Sequence, residues 1–168
     1  KRCDELPKLP PQMTMKETVC VIIPAAGEAP NIASCIQSVL SMDYPAFEVT
    51  VVDDGLVRES LEKLSEFRDK IAIITCPSKG ASFARNLAMK STNAEYLAFT
   101  DADCIVTGDW LKELIRGFRE FPEAVSCGGR QKTPANATDF QKGIYLFMQK
   151  VAFISDYIRK TKSTQIIE

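Results

Sequence analysis

From Thr18 onward, continuous apolar runs and amphipathic stripes take turns along the chain. Val19–Ala25 reads VCVIIPA, an unbroken apolar run rich in β-branched residues, which marks a strand buried on both faces. Pro24 is expected to end it. Pro30 suits the first turn of a helix, and Ile32, Cys35, Ile36, Val39 and Leu40 then recur at helical spacing. That helix should stop before Tyr44-Pro45. Phe47–Val52 (FEVTVV) predicts a second strand running straight into Asp53-Asp54-Gly55. Val57, Leu61, Leu64 and Phe67 form the stripe of a second helix, and Ile71–Cys76 (IAIITC) a third strand. Gly80 breaks the chain before a third helix, Ser82 to Lys90, with Phe83, Leu87 and Ala88 inward. Tyr96–Thr100 (YLAFT) predicts a fourth strand, ending at Asp101-Ala102-Asp103. A helix follows from about Asp109, burying Trp110 or Leu111, Leu114, Ile115 and Phe118. Ala124–Cys127 is expected as a short strand leading to Gly128-Gly129-Arg130.

Strands alternating with helices predict an α/β fold: a mostly parallel sheet, right-handed crossovers and a three-layer α/β/α sandwich. In such folds ligands bind beyond the carboxyl ends of the strands, near the point where strand order reverses. The loops Ala26-Gly27-Glu28, Asp53-Asp54-Gly55 and Asp101-Ala102-Asp103 all follow strands, so carboxylates gather on one rim of the sheet. After Gly129 the pattern changes. From Asn136 to about Lys160 the apolar positions Phe140, Ile144, Phe147, Val151, Ile154 and Ile158 step by helical intervals, giving one long amphipathic helix with a cationic face. Packing on the sheet or on a partner segment is the plainer role for it, and peripheral association with a membrane surface the sharper one. The organisation is therefore a linker over residues 1–17, an α/β domain over 18–135 and the amphipathic helix over 136–168.

At 168 residues, 45% hydrophobic and 26% charged, the chain can bury one ordinary core. A net charge of −1, without a basic run, gives no footprint for nucleic acid. The six cysteines are scattered, without a CxxC pair or zinc spacing, and several fall inside apolar runs. They read as free thiols in a reducing environment, which points to the cytoplasm or the cytoplasmic face of a membrane. The chain has no histidine. Ser-His triads, Cys-His dyads and histidine metal sites are thereby excluded, leaving carboxylates, lysine, tyrosine, cysteine or a carboxylate-bound metal.

Asp101-Ala102-Asp103 carries the most chemistry. Two carboxylates one residue apart, at the end of a buried strand, suit a hard divalent cation, Mn²⁺ or Mg²⁺, that bridges phosphates. A solvated acidic turn is the bland alternative. Asp53-Asp54 closes the second strand, where a carboxylate could accept from a base or ribose or help hold a metal, with Gly55 allowing a tight turn. Lys79-Gly80 and Arg85-Asn86 would bring cations near a diphosphate, with main-chain amides at the helix start assisting.

Together these segments resemble the family 2 glycosyltransferases. VCVIIPAAGEAPNIASCIQSVLSMDYPAFEVTVVDDG looks like the opening block of that family, and KGASFARNLAMKSTNAEYLAFTDADC like its second block. The resemblance runs from about Val19 to Arg130. It implies a GT-A fold (Rossmann-like, binding a nucleotide-diphosphate sugar, often UDP- or GDP-linked) and a divalent metal. By position, Pro24, Ala26, Glu28 and Asp54 would line the nucleoside pocket, with Asp53 supporting it. Asp101 would sit near the ribose or sugar, and Asp103, with Asp101 beside it, would hold the metal. Lys79 and Arg85 would lie nearby. The chain departs from the pattern at Ala26-Gly27-Glu28, where the family usually has an aromatic residue or Arg followed by Asn, and at Leu56-Val57-Arg58 after the glycine.

The implied activity is transfer of a hexose to an acceptor hydroxyl, the acceptor being a saccharide or a lipid-linked saccharide of the kind used in cell-envelope polysaccharide. In the family a second half supplies the acceptor site and the catalytic base. After Arg130 the only carboxylates are Asp139, Asp156 and Glu168, none in such a context, so the catalytic residue is unassigned. The expectation is a piece of a longer protein that holds the donor-binding part. A non-catalytic nucleotide-sugar-binding or interaction module of the same fold is the other class of reading. A phosphorylation receiver is disfavoured, because a full strand and helix precede Asp53-Asp54.

Overall fold

The computed structural model describes residues 17–129, Thr133 and residues 137–147. They fall into two compact units, one ending at Cys127 and one beginning at Gly128. The first unit runs β1 (Val19–Gly27), α1 (Ile32–Leu40), β2 (Phe47–Leu56), α2 (Arg58–Ser65), β3 (Ala72–Thr75), α3 (Ala81–Met89), β4 (Tyr96–Phe99) and α4 (Trp110–Glu120). Its four strands form one sheet in the order β3-β2-β1-β4, and every pair is parallel.

Alternation along β1 sorts the core into two layers. Val19, Val21, Ile23 and Ala25 pack with Val49 and Val51 of β2 against Ile32, Ile36 and Val39 of α1, Leu64 of α2, and Leu111 and Ile115 of α4. The intervening residues Cys20 and Ile22 join Val52 and Cys76 against Ala84 and Ala88 of α3 on the other face. Because both faces of β1 are covered, its sequence carries no polar alternation. The result is the three-layer α/β/α sandwich that the pattern predicts.

Several details depart from expectation. Pro24 does not end β1; it lies within the strand opposite Val52, and it is buried. The Ile22 carbonyl accepts from Thr100 N–H (3.3 Å), so Ile22 faces β4, and Pro24 two residues on faces the same side. β4 pairs only as far as Phe99 opposite Ile22, so no ladder bond is lost at the imide nitrogen. Phe83 does not point inward. The sheet-facing row of α3 is Ala84 and Ala88, small residues that let the helix approach closely, and Phe83 stands 40% exposed beneath the Lys79 ammonium, 4.9 Å from the ring centre. Ala124–Cys127 forms no strand: Val125 is 98% exposed and the segment pairs with no described strand. A four-residue segment with a single large apolar side chain, Val125, is too short to stay extended without a partner strand. In α2 only Leu64 of the predicted stripe is fully buried, and Val57 and Leu61 are exposed.

In the second unit, residues 139–147 are helical, and Phe140, Ile144 and Phe147 of the expected apolar face are exposed. The 1–17 linker, apart from Glu17, and the rest of the long helix lie outside the described residues. Among the described residues no helix is long and apolar enough to cross a membrane.

Candidate functional site

The strand register brings the predicted residues to one rim. Ala25 pairs with Asp53, and Asp53 with Thr75, so β1, β2 and β3 end abreast. On the other side Phe99 pairs with Ile22, and the chain leaves β4 towards Asp101. The strand order reverses between β1 and β4, since the chain builds β1, β2 and β3 outward in one direction and then returns to the opposite side of β1. The Asp101 loop therefore stands at the switch point, where open parallel sheets hold their ligands.

Each side chain at this rim has a distinct environment. Asp53 is half-buried, and its Oδ1 accepts from the amides of Gly55 (3.1 Å) and Leu56 (2.8 Å), closing the turn at the end of β2. Asp54 is only 6% exposed. Its Oδ1 accepts from the Lys79 amide (2.8 Å) and its Oδ2 from the Gly80 amide (2.7 Å). Hydrogen bonding from the Cys76 thiol is the main influence holding the Asp54 carboxyl below the ordinary carboxylate range; burial opposes it, and the two amides lower it further. The amides of Lys79 and Gly80 are thus engaged by protein, and what this loop offers outward is the Lys79 side chain, which is exposed along with Glu28 and Ala26.

Asp101 and Asp103 are exposed. Arg85 of α3 donates from Nη2 to Asp101 Oδ1 at 2.7 Å, so a cation and a metal-competent carboxylate from different elements meet at the rim. The Asp101 main chain is pinned from two sides: its carbonyl accepts from the Cys35 thiol of α1 (3.4 Å) and from the Cys104 amide (3.0 Å). Burial pushes the Cys35 thiol up to about 12, with the neighbouring Cys104, Asp103 and Asp101 adding to it, so it remains a neutral donor. Beyond the loop, Ser38 of α1 accepts from the Val106 amide (3.1 Å). At the β1 end, the Ala29 amide donates to Ser60 Oγ of α2 (3.0 Å), and the Val57 amide to the Gly27 carbonyl (3.1 Å).

These anchors, Cys35, Ser38, Ser60 and Cys76, carry the site's shape and were not legible as site residues. Cys35 reads only as one apolar position in a helical stripe, and a serine that accepts a distant amide has no local signature. Of the predicted residues, the rim gathers Pro24, Ala26, Glu28, Asp53, Asp54 and Asp101, linked through Arg85 and Lys79 on the α3 side; Asp103 follows within the Asp101 loop. Two exposed carboxylates suit Mg²⁺ or Mn²⁺, which bind through one or two carboxylates and keep their remaining positions for water and phosphate oxygens. No cluster of three or more acidic, cysteine or histidine ligands occurs among the described residues.

Residues 20–166 match the family described as Glycosyl transferase family 2. Among curated relatives, the glycosyltransferase AglE of Haloferax volcanii is 37% identical over 100 residues, covering 56% of this chain and 33% of that protein. The UDP-Glc:alpha-D-GlcNAc-diphosphoundecaprenol beta-1,3-glucosyltransferase WfgD of Escherichia coli is 36% identical over 89 residues, 52% of this chain and 35% of that one. The solved mannosyltransferase PcManGT of Pyrobaculum calidifontis, in complex with GDP-Man and Mn²⁺, superposes with a TM-score of 0.56 at 26% identity, over 68% of this chain and 36% of that one. The chain spans about a third of the length of these relatives.

Proposed function

The chain belongs to glycosyl transferase family 2, with the GT-A fold of its solved neighbours, and on that premise we propose that it contributes the donor-binding part of an enzyme moving a sugar from a nucleotide diphosphate to an acceptor hydroxyl. The observation that carries the reading is the meeting of Arg85 and Asp101 at the β1/β4 switch point, with Asp103 two residues on and Lys79 at the start of α3. Pro24, Ala26 and Glu28 of the β1 end and Asp53-Asp54 of the β2 end form the nucleoside side. Lys79 and Arg85 face the diphosphate, Asp101 the ribose or sugar, and Asp103 with Asp101 holds Mn²⁺ or Mg²⁺. The metal, when bound, would offset charge developing on the departing diphosphate.

The protein's own residues then have separable tasks. Asp53 caps its turn and keeps the β2 end rigid. Cys35 and Cys104 fix the Asp101 main chain, so only its side chain adjusts when Arg85 exchanges a carboxylate for a phosphate. The name of the Escherichia coli relative supports a lipid-linked saccharide as the acceptor class. The free state of the five described cysteines supports a reducing, cytoplasmic setting.

Calorimetric titration with UDP and GDP, each with Mn²⁺, tests the reading. Heat that depends on metal is expected, and Asp103→Ala should weaken it at least about tenfold, the scale of a lost charged ligand. Because Asp103 is exposed, the melting temperature should not move with the substitution. A wild-type chain that binds neither nucleotide sinks the proposal.

A further inference from the structure

The segment between β3 and α3 is held more tightly than its exposure would require. Residues 77–80 are all exposed, yet two hydrogen bonds from the end of β2 fix them and a third fixes Cys76 just before them. The Asp54 carboxylate takes the two consecutive amides of Lys79 and Gly80, one on each oxygen. The Cys76 amide donates to the Asp53 carbonyl at 2.7 Å. Gly55, at φ 93°, leaves room for Ser78: a Cβ there would lie 2.5 Å from Ser78 Oγ. Ser78 (φ 50°) and Gly80 (φ 90°) both take left-handed backbone, unfavourable for serine unless its surroundings impose it. A buried carboxylate is doing the imposing.

We propose that Asp54 is a positioning residue for the diphosphate side of the donor site: it sets the Ser78–Gly80 loop, and through it Lys79 and the start of α3. The inference rests on the donor-site reading above. The mechanical path is continuous. Asp54 holds the residues that begin α3, α3 carries Arg85, and Arg85 reaches Asp101. The ends of β2 and β4 are thereby coupled through one helix, although β1 separates them in the sheet. Asparagine cannot replace the carboxylate, since its amide group would present a donor to one of two main-chain donors.

The two roles for Asp54 differ in ligand dependence. A group that only contacts the base weakens nucleotide binding, because uracil and guanine both offer a ring N–H to a carboxylate, and leaves inorganic pyrophosphate untouched, whereas a group that sets the loop weakens pyrophosphate as well. Asp54→Asn should therefore lose affinity for UDP, GDP and pyrophosphate, each with Mn²⁺, by a similar factor of about ten, the scale of one charge-assisted hydrogen bond. In hydrogen exchange the Lys79 and Gly80 amides should lose protection while Val21 and Ile22 in β1 keep theirs. Gly55→Ala, which leaves Asp54 intact and pushes Ser78 from the other side, should reproduce the uniform loss. A loss confined to the nucleotides with pyrophosphate spared, unchanged exchange at Lys79 and Gly80, or normal pyrophosphate binding by Gly55→Ala overturns the inference alone. Absence of binding by the wild-type chain to all three ligands overturns the donor-site reading, and the inference with it.

Discussion

A carboxylate that accepts a thiol and two adjacent main-chain amides responds to acid differently from one that faces water. The Asp54 carboxyl titrates below its ordinary value of 3.8 in the folded chain, so folding favours its ionised form. The stability this contributes is fully present above pH 3.8 and is lost as the pH falls through the lower native value. Asn at this position has no proton to exchange. The urea midpoints of wild type and Asp54→Asn should therefore differ at neutral pH and converge as the pH is lowered below 3.8; a constant gap would contradict the clamp. At this scale the sequence was partly legible. The pairs Asp53-Asp54 and Asp101/Asp103 stand out because acidic residues following apolar strands are conspicuous. Which of two adjacent carboxylates is buried, and that its partners are amides 25 and 26 residues away, depends on loop packing that no local pattern encodes.

Between elements, most of the fold was readable because the sheet is covered on both faces. β1 and β2 appear as near-continuous β-branched runs, and α1 as an apolar stripe whose Ile32, Cys35, Ile36 and Val39 are all fully buried. The failures share a cause: each turned on a neighbour rather than on the segment. Pro24 stays in its strand because β4 is short on that side, and Phe83 stays out because Ala84 and Ala88 are the residues that meet the sheet. α2 shows the same dependence. Its stripe of Val57, Leu61 and Leu64 seats only Leu64, and its tightest tie to the core unit is Ser60 Oγ, which accepts the Ala29 amide in a buried setting. Ser60→Ala leaves that amide without its partner, and about 1–3 kcal/mol of stability should be lost. Because Ala29 follows Glu28 directly, the same substitution should raise exchange at the Ala29 amide well above that of Cys35 and Ile36 within α1. A midpoint shift below about 0.5 kcal/mol, the range of an ordinary surface change, would show that water replaces the serine freely.

For the α/β unit as a whole, the order β3-β2-β1-β4 divides the surface into two unequal rims. At the amino ends of the strands, polar contacts tie connections to strands: Glu48 pairs with Thr92, the Glu95 amide donates to Thr18 Oγ1, and Arg119 grips Glu17 through two bonds of 2.7 Å. At the carboxyl ends lie the switch point, the clamped loop before α3 and the exposed Asp101 and Asp103. Cations and carboxylates occur at both rims, so composition alone does not choose between them. Topology does, because only the carboxyl rim opens where successive connections leave in opposite directions. Hydrogen exchange in the presence of UDP and Mn²⁺ reads this choice directly. Amides of residues 53–56, 77–80 and 101–104 should gain protection, and those of residues 43–46 and 91–95 should not. Protection appearing at the amino rim would move the ligand to the wrong end of the sheet. Protection spread evenly over both rims would mean that the ligand only stiffens the fold, because a ligand seated at the switch point touches loops from β2, α3 and β4 together and leaves the far ends of those strands as they were.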